Sequence, residues 1–171
     1  MATYYINPST GNDSNNGTSI NSPWKTITKA NNTLVAGDTV IFIGDSIITS
    51  GDAISPVNNG TSSNPIIYKC ETGHKTTLQQ NNGEGVAINI QGKQYIHIHD
   101  FIIRIKYFVR MKDAVGCVLN NLDGKHLNLY STPSTQEEFW STGIIAIEAE
   151  RTSYCKITNN KFIGQNNVYE D

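Results

Sequence analysis

A chain of 171 residues, 37% hydrophobic and only 16% charged, makes one ordinary domain with a real core and is too short for two comfortable ones. Its net charge of -2 and pI near 6.1 supply no basic field to recruit nucleic acid and no acidic tail. No apolar run approaches the ~20 residues of a membrane span, and "MATYYINPS" lacks the basic-then-apolar order of a signal peptide, so the chain is expected to stay where it is made or to have lost a leader.

The first segment is predicted to be a strand, a turn and a cap helix over residues 1–44. Its turn, "GNDSNNGTS" (residues 11–19), offers closely spaced oxygens, yet it is not a helix-loop-helix calcium loop. Counted from Asp13, that pattern needs an acceptor where Gly17 stands, a glycine at Thr18 and a bidentate Glu at Trp24. The stretch therefore reads as a turn. Beyond it Ser22 can cap a helix and Pro23 suits its first position; Trp24, Ile27, Ala30 or Asn31, and Leu34 fall near one face before Gly37 stops it.

From "DTVIFI" onward, short apolar alternations are separated by Gly, Asn and Asp, the signature of strands and turns. The pattern repeats. Ile88 and Ile90, Ile96 and Ile98, Asp100 and Phe101 recur 21 residues later as Val109 and Met111, Cys117 and Leu119, Asn121 and Leu122. A third copy reads Ile145 and Ile147, Cys155 and Ile157, Asn159 and Asn160, with Phe162 matching Ile103, provided two residues are inserted between its first two strands. Coils of this length, with inward aliphatics at alternate positions and a polar turn residue at a fixed place, predict a parallel β-solenoid over 45–171 with a loop inserted at 123–142. Asp100, Asn121 and Asn159 would stack at one corner, and the helix would plug the first coil. Cys70, Cys117 and Cys155 are odd in number and far apart, which reads as buried thiols rather than a zinc site.

The run "YYINPSTGNDSNNGTSINSPWKTITKANNTLVAGDTVIF" resembles the amino-terminal segment of right-handed parallel β-helix proteins, including bacterial pectate lyases and related polysaccharide lyases. "NPIIYK", "GKQYIHIHDFII" and "ITNNKFIG" are similar to the coil repeats of that superfamily. The resemblance implies an all-β, right-handed parallel β-helix with an amino-terminal capping helix. It is weak for activity, because the superfamily includes lyases, hydrolases, epimerases, phage tailspikes and surface adhesins. Related lyases run through more coils and carry their acidic calcium cluster and base centrally, whereas this chain reaches about four. An excised portion, a short relative and a subunit closed by another copy or by further coils all fit that length.

Side chains between the inward ones should form exposed ladders: Ala87 and Asn89, then Arg110 and Lys112, then Ala146 and Glu148. His97 and His99 protrude from the next strand, with Arg104 and Lys106 round the corner. Such a cationic surface suits an acidic polysaccharide, whose carboxylates arginine grips in bidentate fashion. The inserted segment adds His126, Tyr130, Glu137, Glu138, Phe139 and Trp140, where Tyr130 and Trp140 could stack on sugars and Glu138 accept hydroxyl bonds. A lyase needs a base beside the uronate carboxylate and a cation to neutralise it; Lys112 or Arg110 would be the base and Asp113, Glu148 and Glu150 the calcium ligands. A hydrolase would instead need two carboxyls across a groove, with Glu148 and Glu138 as the pair. The expected function is polysaccharide contact, lyase-like or glycan-binding, at a secreted or cell-surface location. The alternative is a noncatalytic module of a phage tailspike, in a virion, or of a cell-surface protein.

Overall fold

The computed structural model describes residues 1–44, 47–48, 52–79, 86–104, 107–125 and 147–163. Strand β1 (Thr3–Ile6) precedes the helix α1 (Ile27–Thr33). The chain continues as β2 (Thr39–Phe42), β3 (Ile47–Ile48), β4 (Ile66–Cys70), β5 (Thr77–Gln79), β6 (Val86–Asn89) and β7 (Ile96–His99). It ends in β8 (Ile102–Arg104), β9 (Tyr107–Arg110), β10 (Val118–Asn120), β11 (Asp123–Lys125), β12 (Ile147–Glu148), β13 (Lys156–Thr158) and β14 (Lys161–Ile163). Among the described residues the fold is thus all-β apart from one short helix.

Three sheets contain these strands, and their pairings are parallel. Sheet A has the order β1-β2-β4-β7-β10-β13, sheet B β14-β11-β8-β5-β3, and sheet C β12-β9-β6. From β4 the chain passes through A, B and C in that order and repeats the circuit with β7, β8, β9 and with β10, β11, β12. The apolar alternation sets which side faces in. In β4 the residues Ile66, Tyr68 and Cys70 are buried while Ile67 and Lys69 are not, and Ile96 and Ile98 repeat this in β7. Between the sheets Phe42 meets Phe101 edge to face at 4.9 Å.

The first two copies of the repeat pair as the sequence predicts, with Ile88 opposite Val109 and Ile98 opposite Leu119. The third does not need its two-residue insertion. Val109 faces Ile147, Leu119 faces Ile157 and Gly124 faces Phe162, one spacing throughout. Because side chains alternate with period two, a slip of two residues keeps every aliphatic inward and hydropathy alone cannot detect it. At the corner after sheet A, Asp100, Asn121 and Asn159 take left-handed φ values of 71°, 54° and 56°, a conformation that Asp and Asn tolerate. Asn121 Nδ2 donates to Asp100 Oδ1 at 2.6 Å, while Asn159 Nδ2 donates to Asn120 Oδ1 at 2.9 Å.

The helix begins later than predicted. Its N-cap is Thr26, whose hydroxyl accepts from Lys29 N at 3.1 Å, and Trp24 lies ahead of it in an extended bridge with Ile6. Tertiary contacts override the Ser22–Pro23 signal here. Asp13 accepts from the amides of Lys25 and Thr26 at 2.8 and 3.0 Å and from the Thr26 hydroxyl at 2.7 Å, so the acid in the turn braces the helix start. Gly17 has φ +73°, and a Cβ there would sit 2.4 Å from the Trp24 ring. The indole is also stacked on Tyr4 at 4.4 Å and donates to Asn15 O at 3.0 Å. The turn is built around Trp24. Among the thiols, Cys70 and Cys117 are buried, which pushes each up to about 11, while Cys155 is only half-buried.

Candidate functional site

The outer face of sheet A lines up polar, cationic and imidazole side chains from successive strands. Strand parity creates two outward columns in register. One runs Tyr5, Ile41, Lys69, His99, Asn120, Thr158; the other runs Thr3, Thr39, Ile67, His97, Val118, Lys156. Six rungs at about 4.8 Å make a strip roughly 24 Å long. Neither column contains an acid.

At its amino-terminal end the strip opens into a cavity of about 410 Å³, lined by Tyr5, Ile20, Ile41, Lys69 and Glu71 among others. Glu71 is anchored there, its carboxylate accepting from Gly44 N at 3.2 Å. In the middle, the His97 and His99 rings lie 6.2 Å apart, and Asn120 Nδ2 sits 3.4 Å from His99 Nδ1. Burial depresses both imidazoles below their ordinary value near 6.5. The fields of His99 and Lys156 push His97 the same way against a bond with the Gly116 backbone, and Lys69 does so at His99 against Asp100. Along the edge where the chain enters β7, β10 and β13, the corner residues Tyr95, Gly116 and Tyr154 follow one another in register with φ of 51°, 63° and 56°. A Cβ on Gly116 would meet the Tyr95 ring at 2.4 Å, so that ring lies against the glycine; Tyr154 is 89% exposed.

The predicted cationic surface divides in two. Arg104 belongs to sheet B, round the Asp100–Phe101 corner from the histidines. Its Nη1 donates to Ile103 O at 3.1 Å and Asp123 O at 3.0 Å, with Asp123 Oδ1 at 3.9 Å. Lys112, Asp113 and Glu150 meet instead at the turns leading into sheet A, bound to one another through Arg151. Lys112 Nζ lies 3.0 Å from Glu150 Oε2, Arg151 Nη1 lies 2.6 Å from Glu150 Oε1, and Arg151 grips Asp113 at 2.6 and 2.8 Å. The Arg151 guanidinium holds the Asp113 carboxyl below the usual carboxylate range. Two of the three acids expected to ligate calcium, Asp113 and Glu150, thus pair with cations, and among the described residues no three His, Cys, Asp or Glu side chains converge to hold a metal.

Arg110 is the register partner of Glu148 in sheet C, below Asn89. Ala87, expected outside, is buried, its carbonyl accepting from Ile54 N at 2.9 Å. The Glu148 side chain, and Lys106, His126, Tyr130, Glu137, Glu138, Phe139 and Trp140, lie outside the described residues. Sequence reasoning missed Lys69, Tyr95, Asn120, Tyr154 and Lys156. The signal was present, since Asn120 and Lys156 lie in columns with His99 and His97 once the repeat is carried through.

No protein-family model matches the chain, and neither does any curated protein. Among solved structures, a rhamnogalacturonan lyase superposes with a TM-score of 0.59 at 17% identity, over 74% of this chain and 36% of its own. GH136 lacto-N-biosidase from Eubacterium ramulus, native protein, gives a TM-score of 0.59 at 16% identity, over 92% of this chain and 34% of its own. Its selenomethionine derivative gives 0.58. The chain therefore spans about a third of the length of these structures, and the likeness is one of fold.

Proposed function

We propose that the three sheets are the walls of a right-handed parallel β-helix of about four coils, capped by α1, and that the outer face of sheet A binds polysaccharide. The observation that carries this is the acid-free strip of Tyr5, Lys69, His97, His99, Asn120 and Lys156, flanked by Tyr95 and the exposed Tyr154. Tyrosine faces stack on sugar rings, amide and imidazole groups bond hydroxyls, and lysines attract carboxylates. That both neighbours bear the names of carbohydrate-active enzymes supports the reading. The preferred partner is an acidic chain, because the strip presents cations without acids.

Binding without cleavage is the form we favour. A lyase requires a free base and a neutralising cation, whereas Lys112, Asp113, Glu150 and Arg151 form one mutually paired network. A module of a tailspike or cell-surface protein would use the strip in the same way.

Affinity electrophoresis against acidic and neutral polysaccharides, with and without calcium, tests this together with the ultraviolet absorbance of newly formed unsaturated uronate. Retardation on an acidic polysaccharide with a flat absorbance trace is expected. A calcium-dependent rise in absorbance would replace binding by lyase activity, and no retardation on any polysaccharide would remove the glycan reading.

A further inference from the structure

We propose that His97 and His99 make the outer face of sheet A an acid-strengthened clamp for a carboxylated glycan, gripping it more tightly as the pH falls toward 5. This rests on the reading of that face as the glycan contact. The geometry carries it. Two half-buried imidazoles lie 6.2 Å apart on one strand, at the middle of a strip whose outward columns hold Lys69 and Lys156 and no acid.

The groups facing the pair come from every neighbouring strand. Lys69 on β4 is the register partner of His99, Asn120 on β10 contacts its ring, and the Gly116 backbone bonds His97. Lys156 on β13 acts on His97 from two rungs away. Asp100, the one acid among the described residues whose field acts on His99, already accepts from Asn121, and Glu71 lies beyond Lys69 and holds Gly44. In the free protein, burial and these lysines oppose protonation, so the rings are neutral near pH 7. A carboxylate laid along the strip reverses the balance, since it offsets the repulsion between two imidazolium ions. Carboxylic acids, with ordinary pKa values of about 3.5 to 4.3, stay mostly ionised at about pH 5. By linkage, a ligand that favours the protonated rings must bind better when they are protonated.

Polygalacturonate is the probe, titrated calorimetrically into the intact chain at constant low salt at about pH 7.5 and about pH 5, with a neutral galactan in parallel. Affinity for polygalacturonate should rise about fivefold or more on acidification, while the galactan shows no such gain. In the His97→Gln, His99→Gln double variant the acid gain should disappear; its survival would overturn the proposal. Polygalacturonate should also move the imidazole proton resonances of His97 and His99 in the unaltered protein to a higher titration midpoint. An unmoved midpoint overturns the proposal even if the double variant does not fold. Binding that is equal at both pH values overturns the clamp and leaves the glycan face standing, whereas no binding of either polysaccharide removes both.

Discussion

The two ends of the described chain follow the same inward pattern with opposite results. At the amino-terminal end, Ile6, Trp24, Ile27, Ala30 and Leu34 are sealed, and the turn from Gly11 to Ser19 wraps the indole. In the last described circuit, Ile157 occupies the same column as Ile98 and Leu119, yet it is 46% exposed where they are 0%. Cys155 repeats this below the buried Cys117. An inward position is therefore only half of burial; the other half is a further layer stacked against it. The first end obtains that layer from a helix and a Trp-centred turn.

Substitutions that remove the layer should cost most. Trp24→Ala is expected to destabilise by about 3–5 kcal/mol, since it leaves a cavity beneath Tyr4 and a turn wound around nothing; urea melts would measure it. Within one column, Leu119→Ala should cost about 2–5 kcal/mol and Ile157→Ala about 1 or less. Equal losses at the two positions would mean that the last circuit is as well covered as the middle. The smallest effect is a separation in pH. His97 and His99 have folded pKa values below 6.5, so the folded state resists protons that the unfolded chain accepts. Their contribution is intact above 6.5 and declines as pH falls from there through the folded values. At Asp13 burial acts upward, but the Thr26 hydroxyl, the Lys25 and Thr26 amides and the Lys29 charge together bring the carboxyl below 3.8. Its support of the helix start is present above 3.8 and disappears only as pH falls through the lower folded value. Thermal melts across mild acid should thus report the histidines first, and the His97→Gln, His99→Gln variant should flatten that part of the profile.

The coil repeat is legible because inward aliphatics and corner Asn or Asp recur at a fixed spacing, which is enough to place Ile98 on Leu119 and Asp100 beside Asn121. Only the first strand of the third copy was misplaced, because Ile145 and Ile147 are interchangeable in a period-two pattern. Only the Val109–Ile147 pairing decides between them. The helix start was misread because Ser22 and Pro23 satisfy local rules that the Trp24–Ile6 bridge overrides. At the site, His97 and His99 were legible as outward neighbours. Arg104 was legible as lying round the corner from them, where the structure puts it in sheet B, whereas Tyr154 and Lys156 were passed over because the outward columns were not followed into the third copy.

Register and length are decoupled in this architecture. In sheet A, Thr39 faces Ile67, Ile66 faces Ile96, His97 faces Val118 and Val118 faces Lys156, spacings of 28, 30, 21 and 38 residues between rungs that remain parallel. Doubling a connecting segment costs only about 0.6 kcal/mol in closure entropy, so excess chain between Lys125 and Ile147 is tolerated while the rungs on either side keep their partners. For protein engineers this marks the span between β11 and β12 as a grafting point. An insertion there would lengthen only the connection between β11 and β12, while the rungs on either side keep their partners.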